Sequence, residues 1–461
     1  MIWCVLLCGT RPADLPVKSD GELNMVRVFL RSVFVFVAVC GAVLVLAMPS
    51  IAQTTLLLAA PSEANDWAAF RGPDGQGVST AKGLPVEWSE SENIAWKSPM
   101  PGPGASSPIV FKDHIYVTCY SGFFVPGVAE GNQKDLKRHL LCLDRKSGKK
   151  LWEKIVSAKL PEEERIRDHG FAANTPAADE DRVYCFFGKT GVIAFDHNGK
   201  QVWTADVGSK TNGWGTSASP VLYKNMVLIN ASVESESLIA LDRKTGKELW
   251  KAEGIQEAWN TPVVVTNVNG KPELIVATKG SVQAFEPTSG KQLWTCATDI
   301  AWYMVPSVIA HDGIVYCLGG RSGVAALAVK TGGSGDVTKS HRQWTGVKGS
   351  NVTSPVFHDG HLYWMNDNLG IAFCAKADSG ELVYEKRMDR SGQVYASALL
   401  ADGRVYYTTR EGRTFVVAAK PEFEVLATND LNDGSVFNGS LAVDGTRLLL
   451  RSDKFLYAIG K

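Results

Sequence analysis

The sequence predicts an all-β protein, an eight-bladed β-propeller, and three observations support this prediction. The stretch "DRKTGKELW" at 242–250 has near copies at 144–152 and 286–294. The chain repeats with a period of about 40–50 residues, which is the range expected of propellers and repeat arrays. Its last repeat is incomplete, and a strand-like segment without a sequence partner precedes the first complete repeat.

Each repeat opens with a small residue and continues with short apolar strands that are separated by polar turns such as "FHDG" and "ADGR". This alternation is typical of antiparallel strands of about five residues. In most repeats Pro follows the small residue, and the opening positions are Ser107-Pro108, Thr175-Pro176, Ser219-Pro220, Thr261-Pro262, Val305-Pro306 and Ser354-Pro355, with Ser397 and Ser440 in units that lack Pro.

The nine-residue stretch is predicted to join the third strand of a repeat to its outer strand. We expect Asp242 to hydrogen-bond the turn and Gly246 to supply the positive φ of a tight hairpin. Leu249 and Trp250 would then begin the outer strand. A phosphate-binding loop is a poor alternative, because the upstream glycine and the following helix are both missing.

The pattern Ala240-x-Asp242-x-x-Thr245-Gly246-Lys247-x-x-Trp250 resembles the tryptophan-docking repeat of quinoprotein-type, PQQ-like propellers. In that family the Trp packs against the turn of a neighbouring blade. The resemblance covers about residue 93 to the end and implies this structural role for Trp96, Trp152, Trp203, Trp250, Trp294 and Trp344. The same blades occur in the lipoprotein subunit of the barrel-assembly machinery, so the resemblance predicts a fold and not a function.

The count of repeats predicts how the propeller closes. Seven units are complete, and the last unit, "SLAVDGTRLLLRSDKFLYAIGK", has three strands. The N-terminal segment "ENIAWKSP" at 92–99 should supply the fourth strand, because an open sheet edge is a liability. Residues 93–461 are therefore predicted to form one domain of eight four-stranded antiparallel blades. Residues 53–92 are predicted to be a lead-in segment that packs on the propeller, and "DWAAFRGPDGQGVS" resembles the lead-in of exported PQQ-like repeat proteins.

Residues 1–52 are predicted to be a signal peptide with a mis-assigned upstream start. From Met25, two arginines precede an apolar run that ends in small residues at Ala52, the pattern of an exported precursor. The expected location is periplasmic or extracellular. An uncleaved membrane anchor remains an alternative, whereas a lipid anchor at Cys40 is disfavoured by the bulky Val39 before it.

The composition of the chain disfavours several classes of function. Lysine plus arginine and aspartate plus glutamate are both 48, and no basic run predicts a nucleic-acid partner. Without a CxxC motif, neither a zinc cluster nor a dithiol redox site is predicted. Six cysteines follow the signal peptide, and we expect mostly buried free thiols, although their pairing stays open: Cys119, Cys142, Cys185, Cys296, Cys317 and Cys374.

The residues just before each first strand should pass near the propeller axis, where aromatic rings and amides could line a ligand funnel. The alternative, that these side chains fill the core between blades, stays open. We expect His169 to be a loop residue and assign no catalytic or metal-binding residue. The candidate funnel residues are Phe171, Asn174, Trp214, Trp259, Asn260, Trp302, Tyr303, Asn351, Tyr395, Phe437 and Asn438.

The sequence favours an exported, non-catalytic monomer without a cofactor. It would bind a protein, peptide or carbohydrate partner, and the insertions at 120–139 and 157–173 are further candidates for that binding. One alternative is an alcohol or sugar dehydrogenase that uses PQQ with calcium. The resemblance would then imply a vicinal Cys pair and acidic calcium ligands, but no two cysteines are adjacent and the funnel register contains no acid. A scaffold for outer-membrane protein assembly, peripherally associated with the envelope, is the other alternative.

Overall fold

The computed structural model describes residues 66–300, 302, 304–320 and 323–461. The predicted signal peptide, residues 53–65 of the predicted lead-in and Tyr303 lie outside the described residues. The described chain forms eight sheets, and each sheet contains four antiparallel strands, so the eight-bladed propeller is confirmed. Within the described ranges, no helix has the length and apolar character needed to cross a membrane.

The first four blades follow one another in chain order, and their strands run from the first strand near the axis to the outermost. Blade 1 contains Ile109–Phe111, His114–Ser121, Lys137–Asp144 and Lys150–Ser157. Blade 2 contains Ala177–Ala178, Arg182–Phe186, Val192–Asp196 and Gln201–Ala205. Blade 3 contains Val221–Tyr223, Met226–Ala231, Ser237–Asp242 and Glu248–Glu253. Blade 4 contains Val263–Thr266, Pro272–Thr278, Ser281–Phe285 and Gln292–Ala297.

The last four blades have the same order of strands. Blade 5 contains Ile309–His311, Ile314–Leu318, Ala326–Lys330 and Arg342–Gly346. Blade 6 contains Val356–His358, His361–Met365, Ile371–Lys376 and Leu382–Arg387. Blade 7 contains Leu399–Ala401, Arg404–Thr408, Arg413–Ala418 and Val425–Asp430. Blade 8 contains Ala442–Asp444, Arg447–Arg451, Phe455–Ile459 and Ile94–Pro99.

A few short elements lie outside this scheme. Two-residue strands add to blade 7 and blade 4 in parallel, at Val78–Ser79 and Gly335–Asp336 respectively. The short helices are the α-helices Ser232–Ser235 and Thr338–His341 and the 3-10 helices Gln133–Asp135 and Gly188–Thr190.

Blade 8 is closed by the N-terminal strand, as the incomplete last repeat predicts. Ile94–Pro99 pairs antiparallel with Phe455–Ile459, and Trp96 lies opposite Ala458. This pairing joins residues that are more than three hundred positions apart in sequence. It removes the open sheet edge that three strands alone would leave.

The first strands of neighbouring blades contact one another around the axis, and a closed ring of hydroxyl groups precedes these strands. In each blade, the backbone N–H of one Ser or Thr donates to the side-chain oxygen of its counterpart in the next blade, at 2.9–3.1 Å. We call this the hydroxyl ring; its members are Ser107, Thr175, Ser219, Thr261, Ser307, Ser354, Ser397 and Ser440. One position corrects the sequence analysis: Ser307, and not Val305, is the ring residue of blade 5.

The nine-residue stretch forms the predicted tight turn. The Thr245 N–H donates to the Asp242 carboxylate at 2.7 Å, and Gly246 has a φ of 75°. A bulge follows, because Ala240 pairs with Trp250 whereas Leu241 pairs with Glu248. Leu249 is therefore 45% exposed, and Trp250 is turned inward at 9%.

The outer-strand tryptophans contact the turn of the following blade. A Cβ on Gly246 would lie 2.6 Å from the Trp203 ring, and one on Gly290 would lie 2.4 Å from the Trp250 ring. The same close approach joins Trp96 to Gly148, Trp152 to Gly199, and Trp344 to Gly380. Trp294 differs, because its indole N–H donates to Glu273 of its own blade at 2.8 Å. The expanded turn of blade 5 accounts for this, since the Glu273 carboxylate also accepts the Gly332 N–H.

The lead-in segment closes one end of the axis. Trp67 pairs with Val110 of blade 1 through two backbone hydrogen bonds of 3.0 Å, and the Ala68 carbonyl accepts the N–H of Ala178 in blade 2. The segment then passes blade 5, where the Gln76 side-chain oxygen accepts the Ala310 N–H at 2.8 Å, and Val78–Ser79 pairs with blade 7. Between these points the buried Arg71 guanidinium donates to carbonyl oxygens at the entries to blades 6 and 7, those of Ser354, Pro355 and Ala398.

Candidate functional site

A cavity of about 320 Å³ lies on the propeller axis, with the lead-in at its base. We call it the axial cavity. Phe70 of the lead-in contributes to its lining, and so do five members of the hydroxyl ring. Its walls include the aromatic side chains Trp214, Trp259 and Tyr395. A propeller converges at its axis, so residues that precede successive first strands meet here, although they are far apart in sequence.

Hydrogen bonds fix the orientation of two of the three aromatic rings. The Trp259 indole N–H donates to the Gly215 carbonyl at 2.9 Å, which joins the entry of blade 4 to that of blade 3. The Tyr395 hydroxyl donates to the Asp168 carboxylate at 3.3 Å, and burial raises the pKa of Tyr395 to about 12. Tyr395 is therefore protonated at neutral pH and presents a neutral ring.

Part of the second insertion spans the mouth of the axial cavity. Residues 158–173, which we call the strap, leave the outer strand of blade 1 and return to blade 2. At its base, Glu162 forms a buried ion pair with Arg138 at 2.7 Å. At its far point, the Asp168 carbonyl accepts the Asn438 amide at 2.7 Å. The strap therefore links blades 1 and 2 to the entry of blade 8.

The strap brings charged groups and an imidazole to the cavity. Arg167, Asp168 and His169 all line it. Burial lowers the pKa of His169, whose ring lies near the Gly170 carbonyl and hydrogen-bonds the backbone of Trp214. Because its ordinary pKa already lies below 7, the imidazole is neutral at pH 7. His169 is a loop residue, as expected, but this loop forms the cavity wall.

Two carboxylates reach the axial cavity, although the funnel register contains no acid. Asp168 comes from the strap, and Asp367 comes from the turn between the second and third strands of blade 6. Asp168 lies 3.4 Å from the Arg410 guanidinium. Asp367 is 2% exposed and accepts the Asn351 N–H at 3.0 Å and the Asn368 amide at 2.7 Å. Both acids are therefore already engaged by groups of this chain.

The structure brings five of the predicted funnel residues together in the axial cavity: Trp214, Trp259, Asn351, Tyr395 and Asn438. Four others are corrected, because the lining does not include them. Phe171 packs against Tyr120 and Phe123, with ring centroids 5.5 and 5.7 Å apart, and Phe437 is fully buried and stacks on Tyr457.

The remaining two corrections are amides that bind the backbone. The Asn174 amide donates to the Ala218 carbonyl at 2.6 Å, and the Asn260 amide donates to the Ala277 carbonyl at 2.6 Å. The first carbonyl belongs to the entry of blade 3 and the second to the second strand of blade 4, so both amides are engaged within the propeller. Trp302 is 39% exposed and lies outside the lining of the axial cavity.

Sequence reasoning missed the residues that do not follow the repeat. Asp367 lies in "WMNDNLG", which looks like an ordinary polar turn. Arg167 and Asp168 lie in an insertion, and its unusual length was the available signal. Gln393 also lines the cavity and accepts a hydrogen bond from Arg410 at 2.7 Å.

A calcium-bound quinone requires several oxygen ligands around the metal ion. All six cysteines of the described chain are buried free thiols, and none lines the axial cavity. Among the described residues, no three His, Cys, Asp or Glu side chains are grouped so that they could hold a metal ion. With both cavity acids engaged, the donor set does not fit a calcium-bound quinone.

A second depression lies beside the axial cavity. We call it the side groove; it measures about 450 Å³ and lies between the strap and the loop at 122–136 of blade 1. Its walls include Phe124, Val125 and Val128, and Val128 is 67% exposed. The strap residues Asp168 and His169 separate it from the axial cavity and contribute to both.

Comparison with known proteins agrees with this architecture. The family model described as "Outer membrane protein assembly factor BamB" matches residues 93–272, 233–343 and 279–436. No curated protein sequence matches the chain.

Three solved structures are similar in fold. BamB from Moraxella catarrhalis has a TM-score of 0.55 at 11% identity and covers 79% of this chain and 96% of its own. Quinohemoprotein alcohol dehydrogenase from Comamonas testosteroni has a TM-score of 0.57 at 13% identity, covering 86% and 81%. The computationally designed Ika8 protein has a TM-score of 0.54 at 13% identity, covering 80% and 100%.

These structural likenesses establish the fold alone, because the identities are low. The family model, by contrast, matches well over half of the chain. Together with the eight repeated blades, the match identifies the chain as a PQQ-like propeller, and it belongs to the family described as outer membrane protein assembly factor BamB.

Proposed function

We propose that this chain is an exported, non-catalytic PQQ-like propeller that binds carbohydrate in its axial cavity. The observation that carries the proposal is the lining: aromatic rings beside hydroxyl and amide groups in a pocket closed beneath by the lead-in. Sugars present C–H faces that stack on aromatic rings and a rim of hydroxyl groups that hydrogen-bond. The volume is at the small end of ligand pockets and suits a short saccharide better than a protein surface.

The non-catalytic part of the proposal rests on the chemistry of the lining. Asp168 and Asp367 are both engaged by hydrogen bonds, and the neutral His169 is fixed by backbone groups. A nucleophile with an adjacent base would be the usual sign of a hydrolase. The four ring serines of the lining instead use their side-chain oxygens to accept backbone N–H groups, and the Ser217 hydroxyl donates to the Trp259 carbonyl. Export is supported by the signal sequence predicted at residues 1–52.

The proposal is tested by isothermal titration calorimetry with a panel of disaccharides. Wild-type protein should bind at least one member saturably, and Trp214→Ala should weaken that binding roughly ten-fold, the effect of losing one stacked ring and its close contacts. Trp302→Ala is the matched control, because Trp302 lies outside the cavity lining and should leave binding unchanged. Absence of binding to every disaccharide would contradict carbohydrate recognition in the cavity.

A protein partner is the second candidate, and the side groove favours it. The groove has exposed apolar walls, and the matching family is described as an outer-membrane assembly factor. Under this reading, a component of the outer-membrane assembly machinery should copurify with the tagged chain. Val128→Glu should abolish copurification, whereas Trp214→Ala should not. Copurification that survives Val128→Glu but is lost in Trp214→Ala would contradict docking in the side groove.

The same calorimeter tests the quinone alternative. The proposal predicts no stoichiometric binding of PQQ in the presence of calcium, because the lining does not supply a matching donor set. Saturable binding together with dye reduction by an alcohol or a sugar would contradict the non-catalytic reading.

A further inference from the structure

The floor of the axial cavity is rich in hydrogen-bond donors. Five members of the hydroxyl ring line it, and each side-chain oxygen already accepts a backbone N–H from the preceding blade. Across the described chain, none of these five O–H groups donates to another residue. Their hydrogens therefore remain for a ligand, which must bring acceptor oxygens. The five are Thr261, Ser307, Ser354, Ser397 and Ser440.

The acidic groups of the cavity use part of their acceptor capacity within this chain. Asp168 receives the Tyr395 hydroxyl at 3.3 Å and lies 3.4 Å from the Arg410 guanidinium. Both oxygens of Asp367 accept hydrogen bonds, one from the Asn351 N–H and the other from the Asn368 amide. The acids therefore help to position the wall.

Arg167 supplies positive charge at the mouth. Its guanidinium lies 5.6 Å from the centre of the Trp214 ring, and within the described ranges it forms no hydrogen bond or ion pair. A guanidinium stacked on an indole keeps its N–H edges available, and those edges match the geometry of a carboxylate. The aromatic wall thus lies beside the Arg167 guanidinium, which has no carboxylate partner among the described residues.

On the basis of the proposed function, we infer that the axial cavity takes an acidic sugar, a hexuronate unit of an acidic saccharide. The pyranose ring packs on the aromatic wall, and its carboxylate binds the Arg167 guanidinium. Sugar oxygens accept hydrogen bonds from the ring hydroxyls below. A neutral sugar would make the stacking contacts but would leave the guanidinium without a partner.

Matched pairs of disaccharides test this inference by calorimetry: the galacturonate, glucuronate and mannuronate dimers, each against its neutral galactose, glucose or mannose counterpart. At least one acidic dimer should bind about ten-fold or more tightly than its neutral counterpart, the size expected of a charge-assisted hydrogen-bonded pair. Arg167→Gln should remove that preference without changing the melting temperature. Raising the salt concentration should reduce it.

Arg165→Gln is the matched control. Arg165 lies on the same strap, two residues away, and its guanidinium is also 5.6 Å from a ring, but that ring is Phe124 in the side groove. Its removal should leave the acidic preference intact. Equal affinity for acidic and neutral dimers, or a preference that survives Arg167→Gln, would overturn the inference and leave carbohydrate binding standing. Failure of all six dimers to bind would overturn both.

Discussion

The two ends of the propeller axis are built in different ways. At one end the lead-in crosses the opening, and the buried Arg71 binds carbonyl groups of blades 6 and 7. At the other end the strap also crosses, but a cavity of about 320 Å³ remains beneath it. The first end is held by backbone pairing and a buried guanidinium, whereas the second is held at its far point by partly exposed polar groups. The opening along the axis is thus closed at the lead-in end, and a ligand enters it from the face that carries the strap.

Removal of the closed end should have the largest effect on the protein. Deleting residues 53–100 removes the lead-in and the outer strand of blade 8, so Phe455–Ile459 becomes a sheet edge. We expect aggregation or loss of cooperative melting, measured by light scattering and by circular dichroism during heating. A variant that lacks only residues 1–52 is the control. A deletion variant that stays monomeric with an unchanged melting temperature would contradict the closure.

A single substitution at the closed end should have the next largest effect. Arg71→Ala leaves several carbonyl groups without their donor, among them the buried ones of Pro355 and Ala398. We expect the free energy of unfolding to fall by about 3–5 kcal/mol in denaturant titration, because buried groups lose charge-assisted hydrogen bonds. Arg410→Ala, at the open end, should cost less. Equal losses of the free energy of unfolding in the two variants would contradict the difference in rigidity between the two ends.

A buried carboxyl near the base of the strap should make stability depend on pH. It belongs to Glu234, in the short helix Ser232–Ser235, close to Glu162 and Arg138. Glu234 is 2% exposed, one of its oxygens has no hydrogen-bond partner, and burial raises its pKa from 4.5 to about 8. Glu162 raises that pKa further and Arg138 lowers it. The native state therefore holds this proton more tightly than the unfolded chain. The contribution of the protonated Glu234 carboxyl to the free energy of unfolding is therefore complete below about pH 4.5, and it is lost as the pH rises to about 8.

Between those limits, this group should lower the free energy of unfolding by up to about 1.4 kcal/mol per pH unit. Denaturant titrations at pH 6 and pH 7 measure the slope, and Glu234→Gln should remove this contribution. An identical slope in wild type and Glu234→Gln would mean that the carboxyl does not stay protonated in the native state.

The smallest effect is expected where the strap meets the far side of the mouth. The Asp168–Arg410 pair is partly exposed, with side chains 40% and 15% accessible. Asp168→Ala should therefore cost about 1 kcal/mol or less, and hydrogen exchange in residues 158–173 should become faster. Asp206→Ala, which removes an exposed pair with Lys159 at the start of the strap, should change neither quantity. An effect on stability as large as that of Arg71→Ala would show that both ends are equally rigid.

The repeats explain why the blades could be predicted and the mouth could not. Gly246, Trp250 and the Ser or Thr before each first strand recur in every blade or most blades, so their roles can be read by comparing repeats. Even there, the predicted register was wrong in blade 5, where Pro306 precedes the ring residue instead of following it, so that Ser307 and not Val305 is the ring residue. Asp168 and Arg167 belong to a single insertion, whose path across the axis depends on long-range contacts with Arg410 and Asn438.

The asparagines that precede the first strands show a second limit of prediction from sequence. Asn174 lies one residue before its ring residue Thr175 and binds the Ala218 carbonyl of the neighbouring entry. Asn438 lies two residues before its ring residue Ser440, lines the cavity and holds the strap. Sequence places both near the axis. Which group each amide binds depends on the local backbone, which no periodicity specifies.

A crystal structure of the protein with a bound acidic disaccharide tests the central claim most directly. We predict density for one pyranose ring inside the axial cavity, between Phe70 and the strap, stacked on the aromatic wall with its carboxylate within 2.7–3.1 Å of the Arg167 guanidinium, the ordinary range for such a bond. Density for the sugar in the side groove or on the outer face of the blades, with the axial cavity holding none of it, would contradict the account.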